Sequence, residues 1–309
     1  MSDLSPASPS SAAQPSAAAA VCDYEGSRYR TDFWEGQGRE FEDAAERIAL
    51  RHLLPARGRR LVEVGAGFGR LADLYAAYEQ VILLDYSRSL LQEARARLGD
   101  DPRFLYVAAN VYALPLASGA VDTTVMVRVA HHLADLPRAL RELARVTCDG
   151  GVLVMEYANK RHLKSLLRYL ARRQPWSPFA HAPYEFVPLN FDFHPAWMTQ
   201  RLTEAGFQIE AERAVSHLRF GPLKRLAPAR RLAQIDGWLQ RPGAVLKLAP
   251  SIFVRARRPG TAPVALPTAF FRCPTCGAQP LALEARGVFC LSCSRLWPQR
   301  DGIYDFKAP

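Results

Sequence analysis

A glycine-rich turn near residue 65 holds the first residues that could do chemistry. The apolar run Leu61–Val64 contains one acid, Glu63, and a second apolar run ends in another acid, Asp85. Glycines stand at alternate positions between the two runs: Gly65, Gly67 and Gly69. A strand that stops in such a turn and opens a helix brings bare backbone close to a nucleotide-type ligand. The GxGxG spacing, with Arg70 where a GxGxxG motif has its last glycine, argues against a dinucleotide.

Together these residues resemble the class I S-adenosylmethionine-dependent methyltransferases. The resemblance implies that the turn meets the methionine part of the cofactor, that Glu63 lies near its ammonium or orients the loop, and that Asp85 accepts both ribose hydroxyls. The cofactor-binding residues it implies here are Glu63, Gly65, Ala66, Gly67, Gly69, Asp85 and Tyr86. The alternatives are a turn and acid that only close the fold, and an NAD site.

The segment Ala109–Pro115 matches a further part of the same family pattern. Family members often carry an Asp there, which accepts the adenine amino group. This chain has Asn110, whose amide oxygen is also an acceptor, and the backbone amide of Val111 could serve a ring nitrogen.

The fourth apolar run leads into Arg128–Leu133, which contains two adjacent histidines, His131 and His132. The sequence of this segment resembles that of the quinone-biosynthesis C-methyltransferases and their small-molecule relatives. Ligands lie beyond the carboxyl ends of strands in open α/β sheets, so either histidine could be a general base for the methyl acceptor. The alternative is that one histidine packs in the core and the other holds a backbone carbonyl. Arg128 could contact the cofactor carboxylate or pair with an acid.

A second cluster, Pro183–His194, alternates aromatic and polar residues after the fifth strand, where methyltransferases commonly build the acceptor pocket. His194 is a third candidate base, although a residue before Pro195 could instead cap a helix. Upstream, three aromatics could form a lid over the cofactor or pack as an amphipathic segment: Tyr29, Phe33 and Trp34.

Two CxxC pairs near the C-terminus have the spacing of a zinc site. The predicted ligands are Cys273, Cys276, Cys290 and Cys293. Four thiolates close a tetrahedral shell, which predicts structural rather than catalytic zinc, and a rubredoxin-type iron centre is the alternative. Asp301–Ile303 and the preceding Leu296–Pro298 resemble the small zinc-ribbon protein that activates methyltransferases of translation components. A zinc ribbon also accompanies a bacterial ribosomal RNA guanine methyltransferase, and a merely stabilising appendage is the third possibility.

Alternating strands and helices must position these residues. The periodicity predicts helices near 39–54, 70–77, 89–98 and 136–147, with strands near 60–64, 80–84, 104–108, 122–129 and 152–157. Strands near 207–214 and 252–256 complete the pattern, with a basic, mostly helical insertion at about 218–249. The expected fold class is α/β: a doubly wound Rossmann-like, seven-stranded methyltransferase sheet with helical insertions and a small C-terminal zinc ribbon.

The 309 residues divide by composition into four parts. A Ser/Ala/Pro tail at 1–21 is expected to be disordered, a methyltransferase domain spans 22–258, a linker 259–269, and the ribbon 270–309. No secretory signal or membrane-spanning run is evident, so a cytoplasmic protein is expected.

The net charge of +10 is concentrated in two segments. Residues 160–173 hold six Lys/Arg and no acid, and residues 213–258 hold eleven and one acid. Such an excess could attract nucleic acid, an anionic membrane or a phosphorylated substrate, or could simply be a solvated surface.

The expected activity is methyl transfer from S-adenosylmethionine to a small, aromatic or quinone-like acceptor on carbon or oxygen. The alternative is methylation of RNA or a translation component, with RNA or ribosome contact through the basic insertions and the ribbon. A binding module that only senses the cofactor is a third reading.

Overall fold

The computed structural model describes residues 20–260 and 269–307, and a single mixed sheet organises them. Seven strands of this sheet precede residue 258 and lie in the order β3-β2-β1-β4-β5-β9-β8. They are β1 (Gly58–Val64), β2 (Tyr78–Asp85), β3 (Phe104–Ala108), β4 (Val121–Met126), β5 (Thr147–Ala158), β8 (Gln208–Val215) and β9 (Ser251–Arg257). Six of them run in the same direction, and β9 alone is antiparallel to both of its neighbours, β5 and β8, so the expected seven-stranded order of elements is confirmed for this part of the chain.

Helices cover both faces of the sheet because the inner strands are apolar on both sides. The four last residues of β1 are all buried, as are the central residues of β2, which is typical of parallel sheets. The helices are α1 (Glu40–Leu53), α2 (Arg88–Leu98), α3 (Leu136–Val146), α4 (Leu163–Leu170), α5 (Pro195–Glu204), α6 (Gly221–Leu226) and α7 (Ala229–Leu246). The hydrophobic residues divide into two core clusters, one on each face.

The helix expected at 70–77 is wrong. Only a short 3-10 turn, Ala72–Tyr75, connects the glycine turn to β2, which begins two residues earlier than expected. Arg70 is drawn out of this segment into ion pairs with Asp43 and Glu46 of α1. These ion pairs connect helix α1 to the segment that follows the glycine turn.

The segment after β5 contains a hairpin that periodicity did not predict. Strands β6 (Tyr184–Val187) and β7 (Asn190–Asp192) pair antiparallel and form a separate two-stranded sheet. The helical insertion expected at about 218–249 is confirmed as α6 and α7. Helix α4, the hairpin and α6 all follow strand ends on one side of the sheet, so they surround the site.

The C-terminal ribbon is not a separate appendage on a seven-stranded sheet. Its strands β10 (Ala282–Glu284), β11 (Gly287–Cys290), β12 (Arg295–Arg300) and β13 (Ile303–Asp305) extend the sheet to eleven strands. Strand β13 pairs parallel with β3, with Asp305 opposite Ala108. Three ribbon aromatics join the core cluster on one face: Phe271, Trp297 and Phe306. The expected linker lies largely in 261–268 and most of the expected disordered tail in 1–19, both outside the described residues.

Among the described residues, no helix is both long and apolar enough to cross a bilayer.

Candidate active site

The glycine turn after β1 has the backbone that a close-approaching ligand needs. Gly65 has φ +77°, and a Cβ there would lie 2.1 Å from Cγ2 of Val129, so only glycine fits. Gly67 has φ +53° with open space where its Cβ would point. Gly69 packs against α2, where its Cβ would lie 3.3 Å from that of Ala94. Open space beside Gly67 leaves room for a bound group.

Asp85 is fixed against this turn at the carboxyl end of β2. Its Oδ2 accepts a hydrogen bond from the amide of Gly67 and its Oδ1 one from the amide of Ser87, both 2.8 Å. Burial raises the pKa of Asp85 to about 6. Each carboxylate oxygen has a second lone pair, so the side chain can still accept two hydroxyl groups.

Glu63 is a buried carboxyl on the opposite side of the turn. It is 3% exposed, and its Oε2 has no hydrogen-bond partner among the described residues. Burial raises its pKa to about 8. A buried acid with one unpartnered oxygen beside the open glycine turn suits a cationic group such as an ammonium.

Arg128 lies between these residues and a buried acid of α1. Its Nε donates to Oε1 of Glu46 at 2.8 Å, and its guanidinium carbon lies 5.1 Å from the ring centroid of Trp34. Arg70 completes the cluster, donating to the other oxygen of Glu46 at 2.8 Å and stacking on Trp34 at 3.8 Å. Arg128 therefore forms the expected ion pair with an acid, Glu46, and its expected contact with the cofactor carboxylate stays a prediction.

The adenine-side residues lie where β2 and β3 end. Val111 and Tyr86 line the same cavity as Asp85. Asn110 caps a short turn, with its Oδ1 accepting the amide of Tyr112 at 2.9 Å, so one of its two lone pairs is already used. Ala66 is buried in the glycine turn, where its amide donates to Leu84.

Tyr86 is held by the ribbon. Lys307 Nζ lies 5.3 Å from the Tyr86 ring centroid and 3.1 Å from Oε2 of Glu25. Glu25 accepts the first amides of α2, from Arg88 and Ser89. Lys307, the last described residue of the ribbon, therefore lies next to Tyr86 in the wall of the cavity that contains Asp85, which we call the cofactor cavity.

Of the two adjacent histidines, His132 lies at the junction of this cavity with a second one, and His131 lines the second cavity only. His132 Nδ1 is 3.0 Å from the carbonyl oxygen of Leu189, and because a carbonyl only accepts, Nδ1 carries the proton. His132 Nε2 therefore accepts from the hydroxyl of Tyr24, 3.3 Å away. Burial lowers the pKa of His132 below its usual value. The expected backbone-carbonyl contact thus coexists with a position at the site.

His131 is the more buried of the pair. Burial lowers its pKa to about 3, with the neighbouring His132 and Arg128 contributing in the same direction. Its Nδ1 has no partner in the described part of the chain, and it lines the second cavity. A neutral imidazole therefore lies in the wall of this cavity, with a buried Nδ1 that no described group satisfies.

His194 has a different position. Its Nδ1 accepts the amide of Ala196 at 3.2 Å and so caps α5. It is not among the described residues that line either cavity. Its neighbour Asp192 does line the second cavity, and burial raises the pKa of that carboxyl to about 6.

The second cavity has a volume of about 1530 Å³. Small-molecule sites are usually about 300–1,000 Å³, so this one is large. It opens between α4, the β6–β7 hairpin and the start of α6. It shares four residues with the cofactor cavity: Tyr24, Tyr29, Arg128 and His132.

Comparison with known proteins agrees with this geometry. The model of the family described as "Methyltransferase domain" matches residues 62–155. A probable S-adenosylmethionine-dependent methyltransferase of Mycobacterium tuberculosis is 31% identical over 208 residues, which cover 66% of this chain and 69% of that protein. The chain is a class I S-adenosylmethionine-dependent methyltransferase. The methyltransferase is also 29% identical, over 131 residues, to the 27-O-demethylrifamycin SV methyltransferase of Amycolatopsis mediterranei, covering 40% of this chain and 48% of that one.

A solved structure shows the same fold. The S-adenosylmethionine-dependent methyltransferase of Mesorhizobium loti aligns with a TM-score of 0.52 and 23% identity, covering 71% of this chain and all of that one. The open turn at Gly67, the unpartnered carboxyl of Glu63 and the spare lone pairs of Asp85 fit this cofactor.

The four ribbon cysteines lie together. Their Sγ atoms are within 4.8 Å of one another, with Cys273 and Cys293 at 3.6 Å and Cys276 and Cys290 at 3.5 Å. All six cysteines of the chain are free thiols. Zn–S bonds of about 2.3 Å in a tetrahedron place sulfurs about 3.8 Å apart, so the cluster could hold such an ion.

Sequence reasoning missed the residues that support the site from elsewhere in the chain. Glu46 belongs to a helix that precedes the glycine turn, and Leu189 contributes only a carbonyl. For Glu46 the signal available was an acid on the apolar face of α1, which is costly unless paired. For Lys307 and Tyr24 no local pattern signals the contact.

Proposed function

We propose that this methyltransferase transfers the methyl group to a small, aromatic or quinone-like head group on carbon or oxygen. The observation that carries the proposal is the neutral His131–His132 pair, whose ring centroids are 4.0 Å apart, with His132 at the junction of the two cavities and His131 in the wall of the second. The aromatic side chains of Tyr24, Tyr29 and Phe186 border the same space and suit a flat acceptor. The related rifamycin methyltransferase, by its name, acts on a small molecule.

The chain's own residues would orient the acceptor and receive its proton. When bound, S-adenosylmethionine supplies an electrophilic methyl group, whose bond to sulfur breaks as the bond to the acceptor forms. The imidazole of His131, in the wall of the second cavity, would accept the proton of an acceptor hydroxyl once the acceptor displaces its surroundings, and the hydrogen-bonded Tyr24–His132 pair would border the acceptor where the two cavities meet. Both histidines are weak bases. A weak base suffices, because methylation makes the remaining proton on that oxygen strongly acidic.

We also propose that the four cysteines bind structural zinc. The sulfur positions support this, and four thiolate ligands leave no open coordination position. Elemental analysis of the purified protein tests it, with one zinc per chain expected. A red, iron-containing protein would instead indicate a rubredoxin-type centre.

The experiment for the activity is a transfer assay with radiolabelled methyl donor. Hydroquinones, catechols and other phenols form one panel, and total RNA forms a second. We expect label in one class of phenolic molecule, strongly reduced transfer by His131→Gln, and no transfer by Asp85→Ala. His52→Gln is the matched control, because His52 is exposed at the end of α1.

The outcome against the proposal is equally definite. Protein that binds the cofactor but labels no small molecule, and labels RNA instead, would favour the translation-component alternative. Unchanged turnover in His131→Gln would remove the histidine pair from the mechanism.

A further inference from the structure

Several apolar side chains at the mouth of the large cavity are exposed to solvent and do not pack against the hydrophobic core. Four of its lining residues are more than half exposed: Leu163 at 52%, Leu167 at 57%, Phe186 at 52% and Phe220 at 64%. They come from three separate elements, namely α4, the hairpin and the start of α6. Isolated exposed leucines are ordinary, but a group around one opening marks a binding surface.

Helix α4 is amphipathic yet contributes little to the core. Ser165 is its one buried residue, while Leu170 is 73% exposed. The residues Leu163, Lys164, Leu167, Arg168 and Ala171 recur at helical spacing and all line the cavity mouth. A helix whose apolar side faces out beside cationic side chains has the character of an interfacial helix.

The same rim is strongly basic. Lys164, Arg168 and Arg173 are exposed at the mouth, and none of them forms an ion pair with a described residue. The acids that line the cavity are Glu156 and Asp192, which are not exposed. A bilayer that contains acidic lipids has negative head groups at its surface and apolar chains just beneath them. Exposed leucines surrounded by positive charge are complementary to such a bilayer.

We propose that the rim formed by Leu163, Lys164, Leu167, Arg168 and Phe220 docks on an anionic membrane surface. The cations would also attract RNA, and Phe220 could stack on a base, but the exposed leucines that make up the rest of the apolar rim offer RNA neither charge nor a stacking plane. If the proposed small-molecule activity is correct, the acceptor is an amphiphile whose head group reaches the histidine pair. Its apolar tail would leave between α4 and α6, which accounts for a cavity larger than a small aromatic ring needs.

Vesicle co-sedimentation tests the surface without cofactor or acceptor, so it can fail or succeed independently of the methyl-transfer assay. The probes are vesicles of phosphatidylcholine with and without phosphatidylglycerol. We expect binding only to the anionic vesicles. The double variant Leu167→Ser/Phe220→Ser should lower the partition coefficient about tenfold or more, and Lys164→Glu/Arg168→Glu should abolish binding.

Matched controls lie on the ribbon. Leu283→Ser/Leu291→Ser removes two leucines that are 75% and 76% exposed, and Arg286→Glu/Arg300→Glu reverses two exposed cations. Both should bind vesicles like the parent protein, and circular dichroism verifies that each variant is folded.

Two results would overturn the proposal. If charge reversal on the rim and on the ribbon weaken binding equally, and the serine variants have no effect, the protein is only a cation adsorbing to an anionic surface. If vesicles are not bound but labelled RNA is, with the leucine substitutions neutral, the rim is a nucleic-acid surface.

Discussion

Asp85→Asn is expected to stabilise the cofactor-free protein while weakening its hold on the cofactor. Burial raises the pKa of Asp85 from 3.8 to about 6. A carboxyl with a higher pKa in the folded chain binds protons more readily there than in the unfolded chain. Folding stability therefore falls as the pH rises from 3.8 to about 6, and the full cost of the buried charge is present above that interval.

The size of the effect follows from the same values. A pKa difference of about 2 corresponds to about 3 kcal/mol, which is an upper limit. Asp85 is partly exposed to water in the cavity, which screens its charge, and an amide would lose one of the two backbone hydrogen bonds, worth about 1 kcal/mol. A net gain of about 1 kcal/mol remains, or about 2–4 °C in Tm for a domain of this size.

Thermal unfolding without cofactor, compared above pH 6 and below pH 3.8, measures the stability term. The gain should be present at the higher pH and vanish at the lower one. Calorimetric titration measures the second term, with Kd for S-adenosylmethionine expected to rise at least tenfold as charge-assisted bonds to hydroxyls are lost. Asp100→Asn is the control, since the Asp100 side chain is 93% exposed. A destabilised Asp85→Asn variant with unchanged Kd would refute the assignment of Asp85.

Three further perturbations have defined outcomes. Because burial raises the pKa of Glu63 to about 8, about nine in ten molecules carry a proton on this side chain at pH 7. Binding of the cationic cofactor should therefore release close to one proton, which calorimetry in buffers of different ionisation enthalpy measures. The Glu63→Gln variant should release none. Cys290→Ser should lose bound metal and lower Tm by several degrees, while substitution of the isolated Cys148 by serine should leave the metal content unchanged. Lys307→Ala should weaken cofactor binding about three- to tenfold by freeing Glu25 and Tyr86, and Lys307→Arg should restore it; equal affinities would show that the ribbon does not act on the site.

Structural features that depend on residues close together in the chain could be predicted from the sequence. Alternation of apolar runs with helical periods predicted the positions of strands β1 to β5 along the chain, and the GxGxG turn with Asp85 predicted the cofactor family. The thiol spacing brought four cysteines together as expected. In each case the local backbone conformation is determined by the residues of the motif itself.

Contacts between distant segments were not predictable in this way. The helix expected after Gly69 is a short turn because Arg70 is engaged by α1, which no pattern inside the segment indicates. His194 had two readings from the sequence, and the structure contains the capping hydrogen bond; its catalytic role stays a prediction. The attachment of the ribbon depends on an edge of β3, and edges are a property of the assembled sheet.

The pairing of β13 with β3 also has a consequence for how the chain is made. Until the ribbon is synthesised, the edge of β3 presents unpaired amide and carbonyl groups, which invite association with other chains. At about 5–20 residues per second, the roughly 200 residues between the two strands keep that edge open for about 10–40 s on the ribosome. The ribbon then covers this edge with β13. A nascent chain that stalls before this point would expose an adhesive edge, so completion of the ribbon guards against aggregation as well as bordering the cofactor cavity.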